Sequence, residues 1–381
     1  MDLSRKVTAE LKAALLSEGV NFDLDLFKQI TQPFYDNQFV YGKTSAHVTP
    51  THKFPQVLQL GDGVITALLR RENSSWNLKI KDEQVQLYRN KDFVRTIGLP
   101  ERPAYFDRTL KDGTRSESII AVAGEDTPGF FFYPECYYFV EGKPCGFCSI
   151  KSTRKTVGKD MVSEFTEENI VESTQLFQRT QWRDIPLISI TMGTCKTDDE
   201  TREKVINPIK WMYEALNPKI PIHILAHPPN DFGLIEEFKD AGVTSIAFNL
   251  EVYNQTGFQN ICPGKADLYG YQRWEESLIR ARDIFGDYNA FCGLVWGLES
   301  PESTIEGHKY FLDKGIGLAS NVFHADPRSV LRNLEQPSTE QILQISREQA
   351  NLYKQYPDAR TIFSVSMRST LDWEIHRGDL E

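Results

Sequence analysis

Cys136, Cys145 and Cys148 lie close together in the stretch CYYFVEGKPCGFC, and Phe147 directly precedes the last of them. Cysteine thiolates are soft ligands that suit iron-sulfur clusters and zinc. A 4Fe-4S cluster is normally held by four thiolates, so a site with three leaves one iron open to another ligand. The spacing therefore favours a cluster with one iron available to a molecule that reacts.

Two other interpretations of these cysteines stay open. Structural zinc usually takes four ligands, often in two close pairs. No second pair follows, because Cys195, Cys262 and Cys292 are scattered singly along the chain. Zinc binding and unligated cysteines are the alternatives to the cluster.

The cysteine stretch resembles the motif of the radical S-adenosylmethionine (SAM) superfamily. In that superfamily three cysteines are spaced CX3CXΦC, where Φ is aromatic. Cys145, Gly146, Phe147 and Cys148 keep the second half, whereas eight residues separate Cys136 from Cys145. The resemblance implies a 4Fe-4S cluster on the three cysteines, SAM as a second cofactor, and Phe147 near the SAM adenine.

The composition of the chain limits its class. The 381 residues are 40% hydrophobic, enough for a large core and for two domains. A formal charge of -10 argues against nucleic acid or an anionic membrane as the principal partner. The N-terminus has neither a signal-peptide core nor a spanning run, and the cysteine usage suits a reducing compartment. We expect a soluble, cytoplasmic protein.

Residues 1–125 are predicted to form an N-terminal helical and β region of unknown role. Two helices are expected, at about 5–18 and 23–37. Alternating and β-branched residues predict short antiparallel strands at 62–70, 76–89 and 117–124.

Residues 126–381 show alternating strand and helix patterns. Candidate strands are 130–134, 186–192, 221–226, 244–250, 290–296, 318–323 and 361–366, with helices at 166–180, 201–216, 231–241, 271–285, 302–314 and 338–355. This alternation predicts an α/β fold with parallel strands, that is, a partial or complete (β/α) TIM-like barrel. Ligands should then gather at the carboxyl ends of the strands.

Two predicted strand ends carry residues suited to SAM. Gly193 and Thr194 follow the strand ITM, and a glycine allows close approach of the backbone, whose carbonyls accept from an ammonium group. A simple turn is the alternative. Asn249 and Glu251 stand two apart, so they project to the same face of an extended strand. An amide and a carboxylate together suit the two hydroxyls of a ribose.

The stretches AGVTSIAFNLEVYNQTGFQNI and GYQRWEESLIRARDIFG resemble the biotin synthase-like branch of the superfamily. That resemblance covers about 130–332. It implies that Asn249 and Glu251 bind the SAM ribose, that Arg273 binds its carboxylate, and that GLVWGLE, with Val295, lines the adenine side. An ordinary surface arginine is the alternative for Arg273. The cysteines of an auxiliary cluster are missing, so sulfur insertion is not predicted.

Cys195, His227 and His324 fall near predicted strand ends and are the catalytic candidates. Each has a structural alternative: a space-filling thiol, a histidine in a turn hydrogen bond, and a buried structural histidine, respectively.

The resemblance implies an enzyme that cleaves SAM reductively to a 5′-deoxyadenosyl radical, which removes hydrogen from a small molecule. Cofactor or natural-product biosynthesis is the expected setting, through rearrangement, carbon-carbon cleavage or epimerisation. Flavodoxin or ferredoxin is the expected type of electron donor. The alternatives are a radical SAM methyltransferase and a non-enzymatic, zinc-stabilised binding protein.

Overall fold

The centre of the protein is a seven-stranded sheet. The computed structural model describes residues 3–35, 54–152, 162, 164–180, 184–359 and 367–380. The sheet strands are β6 (Ile120–Ala123), β7 (Thr127–Tyr133), β8 (Ile188–Met192), β9 (Ile222–Leu225), β10 (Ser245–Ala247), β11 (Ala290–Cys292) and β13 (Gly317–Leu318). Their order is β13-β11-β10-β9-β8-β7-β6, and each neighbouring pair is parallel except β6 and β7. Ile190, Ile224 and Ile246 are fully buried in it, as expected for strands covered on both faces.

Helices connect the parallel strands. They are α3 (Glu167–Arg179), α4 (Asp198–Thr201, continued by a π-helical turn Arg202–Ile206 and by Asn207–Ala215), α5 (Gly233–Asp240), α6 (Gln255–Ile261), α7 (Pro263–Leu268), α8 (Tyr271–Phe285) and α9 (Pro301–Asp313). The short α2 (Tyr137–Val140) precedes them, and α10 (Thr339–Gln355) and α11 (Asp372–His376) follow. Thr166 begins α3 with a capping box to Asn169, which explains the sharp start of that helix.

The parallel part of the sheet is open among the described residues, so the predicted α/β fold is confirmed as a partial barrel. The predicted strands 290–296 and 318–323 are each divided into two shorter strands. Val295–Trp296 (β12) and Asn321–Val322 (β14) form a separate parallel pair beyond β11 and β13. The predicted strand 361–366 lies outside the described residues.

The N-terminal region differs from its predicted layout. It contains α1 (Leu3–Glu18), a hairpin of β1 (Val57–Gly61) and β2 (Val64–Ala67), and a three-stranded sheet of β3 (Trp76–Lys81), β4 (Gln84–Arg89) and β5 (Asp92–Ile97). The predicted segment 76–89 contains two antiparallel strands, β3 and β4, because Asp82 and Glu83 both adopt positive φ and turn the chain between them. The helix predicted at 23–37 is wrong over its described part, where only Leu26–Gln29 is helical, as a 3-10 turn.

One hydrophobic cluster joins the start of the chain to its end. Ala9 and Ala13 of α1 pack with Ile342 of α10 and Ile375 of α11. Lys12 is buried there, and its Nζ lies 2.9 Å from Glu374. Among the described residues, no helix has both the length and the apolar character needed to cross a membrane.

Candidate functional site

A cavity of about 430 Å³ opens at the carboxyl ends of the sheet strands, and we call it the cysteine cavity. Its lining includes most of the predicted site residues: Cys136, Cys145, Phe147, Cys148, Gly193, Thr194, His227, Asn249 and Glu251. Cys136 follows β7, Gly193 follows β8, His227 follows β9 and Asn249 follows β10. Parallel strands end at the same edge of a sheet, so residues far apart in sequence meet at one site.

The loop that carries Cys145 and Cys148 is held from two sides. The Gly146 amide donates to the Ile261 carbonyl at 2.7 Å, and the Leu331 amide donates to the Gly146 carbonyl at 2.8 Å. A Cβ at Gly146 would lie 2.9 Å from Leu331 Cγ. A larger residue at Gly146 would therefore push the loop away from its support.

The three thiols differ in their surroundings. The pKa of Cys145 is lowered, chiefly by a hydrogen bond from the Cys262 thiol, whereas burial raises the pKa of Cys148 to about 12. Cys262 is fully buried beside Cys145. From the sequence it was predicted to be a single cysteine apart from the other three. The proximity of Cys262 depends on the fold, since α6 brings it across from the loop.

The donor chemistry of the cavity fits an iron-sulfur cluster, because Cys136, Cys145 and Cys148 supply three soft ligands facing one space. All three are free thiols. Within the described ranges, no three cysteine, histidine or acidic side chains are already arranged to coordinate a metal. Cluster binding would require these thiols to deprotonate, because the thiolate is the ligand.

Gly193 permits a close approach between two strand ends. Its amide donates to the Tyr133 carbonyl at 2.7 Å, and a Cβ there would lie 1.6 Å from the Glu135 carbonyl oxygen. Next to it, the Thr194 carbonyl accepts from the Tyr137 amide at 2.8 Å. Only glycine fits at position 193. The hydrogen bonds of Gly193 and Thr194 hold the backbone on either side of Cys136.

Glu251 has a buried partner that the sequence analysis missed. Lys265 Nζ lies 2.8 Å from Glu251 Oε1, donates to the Asn249 carbonyl at 2.6 Å, and lies 4.6 Å from the Trp274 ring centroid. Burial alone would lower the pKa of Lys265, but Glu251 and the nearby thiols raise it overall. Lys265 therefore stays charged inside the cavity wall. Its position in ICPGK, soon after Glu251, is the signal that the sequence offered.

Glu251 also adopts an unusual backbone conformation. Its φ is +77°, which residues with a side chain rarely adopt. The Glu251 amide donates to the Gly293 carbonyl at 2.9 Å, and the Val295 amide donates to the Glu251 carbonyl at 2.8 Å. Such strain often marks functional sites.

His227 lies on the cavity wall among aromatic rings. The Tyr138 hydroxyl is hydrogen-bonded to its Nε2, and the rings of Tyr269 and Trp274 lie at centroid distances of 5.1 and 5.0 Å. Burial, with a contribution from Lys265, lowers the pKa of His227 to about 3. The imidazole is therefore neutral at physiological pH.

Four predicted site residues lie outside the lining of the cysteine cavity. Cys195 is buried in a neighbouring cavity of about 70 Å³, and burial raises its pKa to about 12. The Arg273 guanidinium donates to the Asn230 carbonyl and lies 4.7 Å from the Phe232 ring. Val295 is buried in β12, and His324 lines a separate cavity. The roles assigned to these residues stay predictions.

Comparison with known proteins gives several similarities. No family model matches the chain. A curated relative, bacteriochlorophyllide c C-7(1)-hydroxylase of Chlorobaculum limnaeum, is 23% identical over 94% of this chain and 88% of its own length. Among solved structures, methylornithine synthase (PylB) has a TM-score of 0.43 and 16% identity over 61% of this chain and 63% of its own.

Two further solved structures with similarity to the chain are radical SAM enzymes. Coproporphyrinogen III oxidase (HemN) of Escherichia coli has a TM-score of 0.40 and 15% identity over 63% of this chain and 55% of its own. A methyltransferase of Sphaerobacter thermophilus has a TM-score of 0.45 and 13% identity over 74% of this chain and 76% of its own. The chain spans less than two thirds of PylB and of HemN.

The chain resembles radical SAM enzymes. The predicted resemblance is confirmed as a similarity to enzymes, two of which are radical SAM enzymes. The biotin synthase-like branch, the lengthened interval between Cys136 and Cys145 and the role of each site residue stay predictions.

Proposed function

We propose that this chain binds a 4Fe-4S cluster through Cys136, Cys145 and Cys148 and uses it to cleave SAM reductively, so that hydrogen is removed from a small-molecule substrate. One observation carries the proposal: the three thiols face the same cavity as Asn249 and Glu251, at the ends of adjacent strands. When bound, the cluster and SAM supply a carbon radical able to take a hydrogen atom.

The chain's own residues bind SAM and orient it and the substrate. Asn249 and Glu251 suit the ribose hydroxyls, and Phe147 offers an aromatic face near the adenine. Lys265 holds the Glu251 carboxylate through a 2.8 Å ion pair. Gly193 and Thr194 offer backbone groups to the methionyl amine. The buried walls exclude water and fix the substrate beside the radical.

The identity of the relative favours one specific outcome, hydroxylation of a carbon-hydrogen bond. That relative is named as a bacteriochlorophyllide c C-7(1)-hydroxylase and aligns over nearly the whole chain. Removal of a hydrogen atom, the step proposed here, would leave a substrate radical. Hydroxylation would then require that radical to lose one electron to an acceptor such as the oxidised cluster and to add water with release of a proton. Rearrangement, carbon-carbon cleavage, epimerisation and methyl transfer are the competing outcomes, and S-adenosylhomocysteine among the products would identify methyl transfer.

We further propose a cytoplasmic protein that acts in cofactor or natural-product biosynthesis and receives electrons from a flavodoxin or ferredoxin. The acidic balance of the chain supports a small-molecule substrate over a nucleic acid. A zinc-stabilised binding protein would instead show stoichiometric zinc and no acid-labile sulfide.

The test is release of 5′-deoxyadenosine from the full chain, reconstituted with iron and sulfide without oxygen and supplied with SAM and a strong reductant. Cys145→Ala should abolish both cluster absorbance and release. Cys292→Ala is the matched control, because Cys292 is buried in β11 and does not line the cysteine cavity, and it should retain both. A chain that takes up zinc but no iron would overturn the proposal.

A further inference from the structure

A second cavity, of about 500 Å³, lies where the N-terminal region meets the loop after β14. It is lined by residues 69–71, 324–325 and 332–336, and we call it the arginine cavity. Its described lining shares no residue with that of the cysteine cavity. It is therefore a separate space.

The charged groups of the arginine cavity are mostly positive. Arg70, Arg71 and Arg332 line it, against one lining carboxylate, Glu335. Arg70 is already engaged, because its Nε donates to the Phe22 carbonyl at 3.1 Å and its Nη1 lies 2.9 Å from Glu72. The remaining positive charge comes from Arg71 and Arg332.

Arg71 is half-buried without a counter-ion. Among the residues that the structure describes, neither its guanidinium nor that of Arg332 has an ion-paired or hydrogen-bonded acceptor. Its side-chain stem passes beside Gly19, where a Cβ would lie 2.9 Å from Arg71 Cγ. Burial lowers the pKa of Arg71 because the charged form loses water. A partly buried guanidinium without an acceptor is costly, and an anion would remove that cost.

We propose that the arginine cavity binds the carboxylate or phosphate group of a small molecule. A guanidinium presents a planar fork of donors that matches both groups. Two such forks, from separate segments of the chain, line this one cavity. The site is distinct from the proposed cluster and SAM site and does not depend on it.

The location of this site connects it to the cysteine loop. Ala325 and Arg332, which both line the arginine cavity, flank the segment 326–331. The same segment supports the cysteine loop, through the Leu331 amide on the Gly146 carbonyl and through Asp326, which accepts from the Ser149 hydroxyl at 2.8 Å. An anion bound by Arg71 and Arg332 would thus steady the segment that positions Cys145 and Cys148.

Titration calorimetry of the full chain at low salt tests the proposal, with inorganic phosphate and succinate as separate probes. Low salt is needed because exposed charges are screened. The wild type should bind at least one probe saturably, and Arg71→Gln and Arg332→Gln should each weaken binding by about tenfold, the size expected for a lost charge-assisted hydrogen bond. Arg108→Gln, at an exposed position outside both cavities, should bind like the wild type. Thermal melting establishes that each variant is folded.

The results of the titration distinguish the two kinds of ligand from the absence of an anion site. Binding of phosphate alone assigns a phosphate ligand, and binding of succinate alone assigns a carboxylate. Absence of saturable binding, or equal binding by all four proteins, overturns the anion site. Release of 5′-deoxyadenosine measured on the same preparations reports separately on the proposed function.

Discussion

At the scale of single residues, Lys265 connects the parts of the cysteine cavity. Its ammonium group contacts the Glu251 carboxylate and the Asn249 carbonyl, and it lies over the Trp274 ring. The exposed fractions of the Lys265 and Glu251 side chains are 10% and 14%, so each charge relies on the other.

Lys265→Met is expected to destabilise the protein by about 3–5 kcal/mol, because it leaves a buried carboxylate without its partner. It should also weaken SAM binding, whereas Lys265→Arg should keep most of both. Urea unfolding and equilibrium SAM binding are the measurements. Lys309→Met is the control, since the Lys309–Asp313 pair is 57% and 47% exposed and its loss should change stability little. Equal losses in both variants would contradict the role given to Lys265.

Asp326 makes the support of the cysteine loop dependent on pH. Burial alone would raise the pKa of Asp326, but hydrogen bonds from Arg328 and Ser149 and the Arg328 charge lower it below its ordinary value of 3.8. A carboxylate with a lowered folded pKa stabilises the fold above its unfolded pKa. That stability is lost as pH falls through the folded pKa.

The free energy of unfolding of the wild type should therefore exceed that of Asp326→Asn at neutral pH, and the difference should shrink as pH falls below 3.8. Urea unfolding at a series of pH values measures it. Asp313→Asn serves for comparison, because that carboxylate is exposed and its contribution should be smaller. A difference that is constant with pH would show that the charge of Asp326 is not responsible.

At the scale of secondary structure, the break in two strands shapes the cavity. β11 ends at Cys292 and β12 begins at Val295, with Gly293 between them. The Gly293 amide donates to Asn249 Oδ1 at 3.0 Å, so the end of one strand fixes a side chain from its neighbour. A Cβ at Gly293 would lie 2.5 Å from the Ala319 carbonyl oxygen and 2.7 Å from Asn249.

Gly293→Ala should destabilise the protein by about 1–3 kcal/mol, the usual cost of overpacking, and should weaken SAM binding through the displaced Asn249. Gly129→Ala is the comparison, because a Cβ there would meet its neighbours only at 3.8 Å or more. Thermal unfolding and SAM binding report both effects. If Gly293→Ala behaved like Gly129→Ala, the close approach would carry no functional weight.

At the scale of the whole molecule, α1 ties the beginning of the chain to its end. Lys12 Nζ donates to the Met367 carbonyl at 2.6 Å and to both oxygens of Glu374 at 2.9 Å. Both side chains are 1% exposed. Burial lowers the pKa of Lys12 and raises that of Glu374, because the charged form of each side chain loses its water. Each charge is therefore stabilised by its contact with the other.

Lys12→Met should cost about 3–5 kcal/mol of unfolding free energy, because Glu374 would remain buried and alone. The double variant Lys12→Met with Glu374→Leu should recover much of that loss, since neither member of the pair is then buried without the other. Chemical denaturation of the two single variants and the double variant measures the coupling. Additive losses would rule out an energetic link between α1 and α11 through this pair.

The order of the parallel strands and of the long helices between residues 126 and 355 could be predicted from the sequence, because each of these elements shows its own local periodicity. The short helices α2, α6, α7 and α11 were not predicted, since four to seven residues show too little periodicity. The ends of β7, β8, β9 and β10 then follow from the rule that parallel strands finish at one edge, and that rule is why Cys136, Gly193, His227 and Asn249 share a cavity. The hairpin turn at Asp82 and Glu83 was missed because neither residue type requires positive φ.

The sequence by itself determined which chemical groups stand at the strand ends, since hydrophobic periodicity and residue type are local properties. The tertiary structure alone decided which distant side chains meet those groups. Lys265 beside Glu251, Cys262 beside Cys145, and Arg71 with Arg332 around a second cavity all join segments from different elements. Such contacts depend on how helices pack across the sheet, and no local pattern in the chain encodes that packing.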